Sequence, residues 1–326
     1  MRAVGGSTVR VGVLTNLKAG RSAVRTARIL RELSRHDDVL RRETSSNRMV
    51  PEAVAEFASE GVELLVLNGG DGTVHRALTE IFAGPHQDWR PLIAPLRCGR
   101  TNMIAADLGM QRSPARAMRA LFAAAREGRL GERSVEKPVL RLDLEGDDEP
   151  KYGMFFGAGV LHRAIQLTHR SFPNGRAQGV FGAAVVTATL LARTIAGDHK
   201  GVLDPDKMQI AFDGANVSTE EFVVVMATTL DRLILGLRPF WGREDAPLRV
   251  TTLASGAPGL ALALPRLVRG LAPRATTQKN GFASRNAHEV ALRLDCGLTL
   301  DGELFDPEPG RVVRVSGGER VRFVRA

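Results

Sequence analysis

Gly69-Gly70-Asp71-Gly72-Thr73 places three glycines around one aspartate, between an apolar run at 62–67 and a helical pattern in which Val74, Ala77, Leu78, Ile81 and Phe82 share one face. Glycines at 69, 70 and 72 remove every Cβ from the turn, so its backbone can take positive φ and approach a ligand with its amides turned outward. Free N–H groups and partial positive charge at the start of the following helix favour an anion, of which phosphate is the commonest. Asp71 would repel that anion unless a divalent cation lay between them, which points to a metal-nucleotide site. The plainer alternative is an ordinary glycine-rich strand-to-helix turn. A second constellation is Asp301-Gly302-Glu303, whose two carboxylates would project from a turn or sheet edge. An Asp-Gly hairpin turn explains those residues equally well. Cys98 and Cys296 have neither disulfide nor metal-ligand spacing and read as small, partly buried fillers.

Elements that would position these residues follow from the apolar pattern. A strand at 9–14 runs into the loop 15–21, a helical pattern continues through Ile29 and Leu33, and a short strand covers 39–44. A helix with Pro51 in its first turn and Gly61 at its end leads back to the strand before the glycine loop. Another strand at 91–96 and helices near 102–109 and 114–126 extend this β-α-β-α-β alternation, whose connections require a parallel sheet. Beyond about residue 130 the texture changes to short alternating segments: 140–144 and 152–156 around a polar turn, a hairpin at Asp213-Gly214, Val290/Leu292/Leu294, and strands at 312–315 and 321–324. These favour an antiparallel sandwich or barrel. A helix is expected at 180–196. The domains expected are therefore an α/β nucleotide-binding domain at 1–130 and a β-rich domain at 131–326.

The chain has 326 residues, which suits two domains, and 44% apolar residues, which supports a folded globular protein. Its longest apolar run, 180–192, is too short to span a bilayer and no secretory signal is apparent, so a cytoplasmic protein is expected. Lysine and arginine exceed aspartate and glutamate by 45 to 36, a net charge of +9 that favours anionic partners. One tyrosine and two tryptophans make a poor stacking platform for single-stranded nucleic acid, and no nucleic-acid motif is present. Nucleic acid is therefore not an expected partner. Peripheral contact with an anionic membrane is, beside the simpler reading of a solvated basic surface.

Four segments in order carry a resemblance: Asn16 through Gly20, the loop from Gly69 to Thr73, Gly99-Arg100-Thr101-Asn102, and Asp301-Gly302-Glu303. Together they resemble the bacterial diacylglycerol kinase-like lipid kinases, a family that includes the sphingosine kinases, over nearly the whole chain. The resemblance implies an N-terminal three-layer α/β nucleotide domain, a following β-sandwich and an active site between them. It implies ATP and Mg²⁺ as cofactors and a lipid alcohol such as diacylglycerol as acceptor. By the same resemblance Lys18 and Arg21 reach phosphate oxygens and Thr44 contacts the nucleotide. Asn102 either bonds the nucleotide or caps a helix. Glu303 is the base for the lipid hydroxyl, Asp301 positions it or binds metal, and Asp245 is either a metal-binding acid or a solvated turn residue.

The chain departs from the pattern at Arg100, where the family usually presents threonine: a hydroxyl is lost and a cation gained, able to clamp phosphate or to fill the nucleotide's space. His75 and Arg76 replace a common Asn and Glu, and the turn at Asp245 lacks its usual glycine. Two other functions compete, an NAD kinase-like enzyme and a non-catalytic lipid- or nucleotide-binding regulator. The terminal Asp-Gly-Glu favours the lipid enzymes, whereas Arg100 motivates the regulator.

Overall fold

The computed structural model describes residues 9–18, 23–171, 204–215, 218–257, 260–272 and 281–326. Gly20, Arg21 and the helix expected at 180–196 lie outside the described residues. The chain divides into two compact units: residues 1–137 together with 320–326, and residues 138–319. This division differs from the change of sequence texture at 130 at both ends of the second unit.

The first unit opens with β1 (Val11–Asn16), α1 (Ala23–Leu33), β2 (Leu40–Thr44), α2 (Val50–Ser59), β3 (Leu64–Asn68), α3 (Asp71–Ala83) and β4 (Leu92–Pro95). Helices α4 (Met103–Asp107) and α5 (Pro114–Arg126) and strands β5 (Ser134–Pro138) and β17 (Arg320–Val324) complete it. Its sheet has the order β2-β1-β3-β4-β17-β5, with β1 parallel to both β2 and β3, and β4 parallel to β3 and β17. Moving from β1 to β2 runs one way across this sheet, and moving from β2 through β3 to β4 runs the other. Right-handed crossovers then put α1 on one face and α2 and α3 on the opposite one. The packing agrees: α1 lies against α5, joined by Glu32 and Arg119 at 2.8 Å, and α2 lies against α3. All of β3 is buried, as a strand covered on both faces must be.

Strand β17 is where the sequence reading and the structure part. The alternating stretch at 321–324 reads like the antiparallel strands before it, yet it runs parallel to β4, with Phe323 opposite Ile93, and buries Val321, Phe323 and Val324 in the first unit. Alternation reports a half-buried strand and not the sheet it joins.

The second unit contains β6 (Leu140–Leu144), β7 (Lys151–Gly153), β8 (Phe155–Gly159), α6 (Val160–Ser171), β9 (Asp206–Phe212) and β10 (Ser218–Thr228). Then come β11 (Leu248–Ala254), a helix at Leu260–Leu267, β12 (Phe282–Ala287), β13 (Glu289–Leu294), β14 (Leu298–Leu300), β15 (Glu303–Phe305) and β16 (Val312–Ser316). The strands form one antiparallel sheet in the order β15-β14-β8-β10-β9-β13-β16-β6-β7, with β11 on β10 and β12 on β11. Alternate residues, such as Leu140 and Leu142, Met208 and Ile210, Val290 and Leu292, Val313 and Val315, converge on a single apolar core. Asp213 and Gly214 both take positive φ in the β9–β10 turn, as the Asp-Gly pair predicts. No described helix is long and apolar enough to cross a membrane.

Candidate functional site

Between β1 and β3 the chain leaves in opposite directions, toward β2 and toward β4, so the carboxyl ends of these two strands flank the switch point where open α/β sheets bind ligands. Asn16 ends β1 and Asn68 ends β3, followed at once by Gly69 and Gly70. Helix α3 starts at Asp71, so Asp71, Gly72 and Thr73 form its first turn where the sequence suggested a longer loop. None of the three glycines has positive φ. They serve close approach instead. A Cβ on Gly69 would lie 2.5 Å from Thr73 Oγ1, and one on Gly99 would lie 2.4 Å from the Cα of Gly70. The Gly69–Thr73 and Gly99–Asn102 segments therefore touch backbone to backbone, which only glycine permits.

A side-chain network lines the same strand ends. Asn16 Nδ2 donates to Thr73 Oγ1 at 3.1 Å and to Asn47 Oδ1 at 3.0 Å, while Asn16 Oδ1 accepts the Lys18 amide at 3.0 Å. Asn47 was not anticipated; the polar run Ser45-Ser46-Asn47 directly after a strand end was its signal. Lys18 and Arg100 are exposed and Thr101 is half-buried. Thr44 pairs in register with Asn16 but is 1% exposed, and its hydroxyl is buried without a hydrogen-bond partner.

Asp71 uses both carboxylate oxygens at the start of α4, accepting the Met103 and Ile104 amides at 3.1 Å each. Burial pushes its pKa up, and these amide bonds oppose the shift. Asn102 sits at the N-cap position with φ 52° but makes no capping bond. Its Oδ1 accepts the Gly99 amide at 2.6 Å and its Nδ2 donates to the Gly99 carbonyl at 2.8 Å. Asn102 therefore closes the turn before α4 where a capping bond was one of the roles anticipated, and Asp71 caps that helix from α3. A metal ligand at Asp71 was expected, but its oxygens are already held by amides. No group of three or more His, Cys, Asp or Glu side chains able to hold a metal occurs among the described residues. The protein groups described thus do not by themselves fit a Mg²⁺ site.

In the second unit the Asp-Gly-Glu segment forms the β14–β15 hairpin, with φ 49° at Asp301 and 90° at Gly302. Asp301 is not the exposed carboxylate anticipated. It is 7% exposed, and its oxygens accept the Met154 and Phe155 amides at 2.9 Å each. Its own amide donates to the Phe155 carbonyl at 2.8 Å, fixing the hairpin to β8. Glu303, half-buried, opens β15 opposite Leu300. His162 of α6 lies 3.2 Å from Asp306 just past β15, and burial lowers its pKa. Asp245 is an exposed turn residue, whereas its neighbour Glu244 accepts the Asn286 amide at 2.8 Å. Cys98 is buried, and burial pushes the Cys296 thiol up to about 11, so Cys296 offers no nucleophile at neutral pH.

Residues 10–132 match the family described as the diacylglycerol kinase catalytic domain. A structure from Bacillus anthracis str. Sterne described as a putative diacylglycerol kinase is similar with a TM-score of 0.68 and 18% identity, covering 100% of this chain and 99% of that one. A second putative diacylglycerol kinase from that organism gives 0.66 at 17% identity, with 99% of each chain covered. At these identities the similarity is one of fold, and it extends over both units. No curated protein matches the sequence.

Proposed function

We propose, from a chain whose residues 10–132 match the diacylglycerol kinase catalytic domain, that this protein is an ATP-dependent lipid kinase acting on a lipid alcohol such as diacylglycerol. The observation that carries this reading is the meeting of Asn16, Gly69, Gly70 and Thr73 at the switch point of the parallel sheet. ATP phosphates lie against the amides at the start of α3, and Lys18, Arg21 and Arg100 give charge-assisted contacts to phosphate oxygens. Gly72 and Gly99 keep Cβ atoms out of the cradle. Mg²⁺ comes with the nucleotide, whose phosphates and waters supply most of its ligands. The lipid hydroxyl oxygen forms a bond to the γ-phosphorus as the bond to the β–γ bridging oxygen breaks. Glu303 takes the hydroxyl proton and ADP leaves. Asp301 holds the hairpin that carries Glu303, and the lipid is met at an anionic membrane surface.

The test is transfer from γ-labelled ATP to diacylglycerol, sphingoid bases and NAD offered separately. Label in the organic phase with a lipid alcohol is the expected result. Label in NADP would assign the protein to NAD phosphorylation, and nucleotide or vesicle binding without transfer to any acceptor would make it a regulator; either overturns the proposal.

A further inference from the structure

Leu235 and Leu271, at 61% and 54% exposure, are the two most exposed large apolar side chains among the described residues, and both belong to the second unit. Leu235 also has φ 58° and ψ 15°, a left-handed conformation unfavourable for a bulky side chain. Its loop nevertheless holds a defined shape: the Leu233 amide donates to the Leu237 carbonyl at 2.8 Å and the Gly236 amide to the Leu233 carbonyl at 3.0 Å. An exposed leucine fixed in a strained turn is a displayed leucine, since neither packing nor local preference accounts for it.

The two leucines lie on neighbouring segments. The Arg238 amide donates to the Val268 carbonyl at 2.8 Å, and Gly270 packs so closely that a Cβ there would meet the Arg238 carbonyl at 2.8 Å. Beneath them, Ala263 and Leu267 bury against Phe282 and Trp241, which turns Arg266 and Arg269 outward. Residues 232–242 and 260–272 contain Arg232, Arg238, Arg266 and Arg269 and no Asp or Glu. Exposed leucines on adjoining segments whose only charged residues are arginines fit one partner class best, a bilayer surface with anionic headgroups, where leucine enters the acyl boundary and guanidinium stays with phosphate.

We infer that the Leu235 loop and the Leu271 segment form a docking surface for an anionic lipid bilayer. This deepens the membrane part of the proposed function and rests on it for its purpose. Neither leucine is among the residues assigned to phosphoryl transfer above, so binding and turnover are read separately. Sedimentation of the full chain with phosphatidylcholine vesicles, with and without phosphatidylglycerol, tests it. The wild type is expected to bind the anionic vesicles and to release as salt rises. Leu235→Asn with Leu271→Asn should weaken binding about tenfold or more, and Arg238→Gln or Arg266→Gln about fivefold each. Asparagine tolerates the left-handed region, so the thermal midpoint should hold; if it falls, Leu235→Gly makes the same test. Turnover on a short-chain soluble diacylglycerol should not change. Wild-type protein that ignores anionic vesicles, or leucine variants that bind unchanged, would overturn the assignment. So would variants that alter only the sedimentation coefficient, which would make the patch a contact between copies of this chain.

Discussion

Asp71 and Asp301 are anchored in the same way, each accepting two consecutive backbone amides, Met103 and Ile104 for one and Met154 and Phe155 for the other. Asp301→Asn and Asp71→Asn each turn an NH₂ toward a backbone N–H, and each is expected to destabilise by about 1–3 kcal/mol in urea unfolding. Glu303→Gln should behave differently. As the proposed base it should lower kcat by about 10²–10⁴-fold while the unfolding midpoint stays put; a shifted midpoint with unchanged kcat would remove it from the chemistry. The Asp-Gly turn was legible in the sequence because few residue pairs accept two positive φ angles in succession. Its amide clamp was not, since Asp301 and Met154 are 147 residues apart and periodicity carries no information over that distance. Asn47 escaped for the same reason, 31 residues from the Asn16 it bonds.

Helix α4 is the element that joins the Gly69–Thr73 and Gly99–Asn102 segments. Asp71 holds its amino end, and at its carboxyl end Asp107 meets Lys137 of β5 at 3.1 Å. A five-residue helix has little stability of its own, so these anchors define it. On the opposite face, Arg119 of α5 holds the Glu32 pKa of α1 below its ordinary value of 4.5, chiefly by a hydrogen bond. A depressed folded-state value means this contribution is present above the unfolded pKa and is lost as pH falls through the folded one. Thermal melts should therefore show Glu32→Gln less stable than wild type at neutral pH, with the gap closing below pH 4.5. Helix α5 was legible to the residue, because Ser113-Pro114 marks its start and the apolar face repeats through Ala125. Helix α4 was overextended, because apolar residues continue past Asp107 in a turn that packs without being helical.

At the scale of the whole molecule, the α/β alternation and the antiparallel texture were both readable, because buried parallel strands and half-buried antiparallel ones leave different patterns. The return of the chain to its first sheet was not, since nothing in five alternating residues names a partner. Removing residues 320–326 strips Phe323 from the core and leaves β4 and β5 without the strand between them. The truncated protein should lose the cooperative unfolding of the first unit and gain aggregation, as seen by calorimetry and light scattering.

That returning strand also sets an order in time. A ribosome that has finished β5 must still make all of 138–319 before β17 exists, on the order of 10–40 s at about 5–20 residues per second. Through that interval the nascent first sheet has its last slot vacant, while the second unit is contiguous in the chain and can close as it emerges. The domain that begins first is completed last, and chaperone protection matters most for the edge of β4.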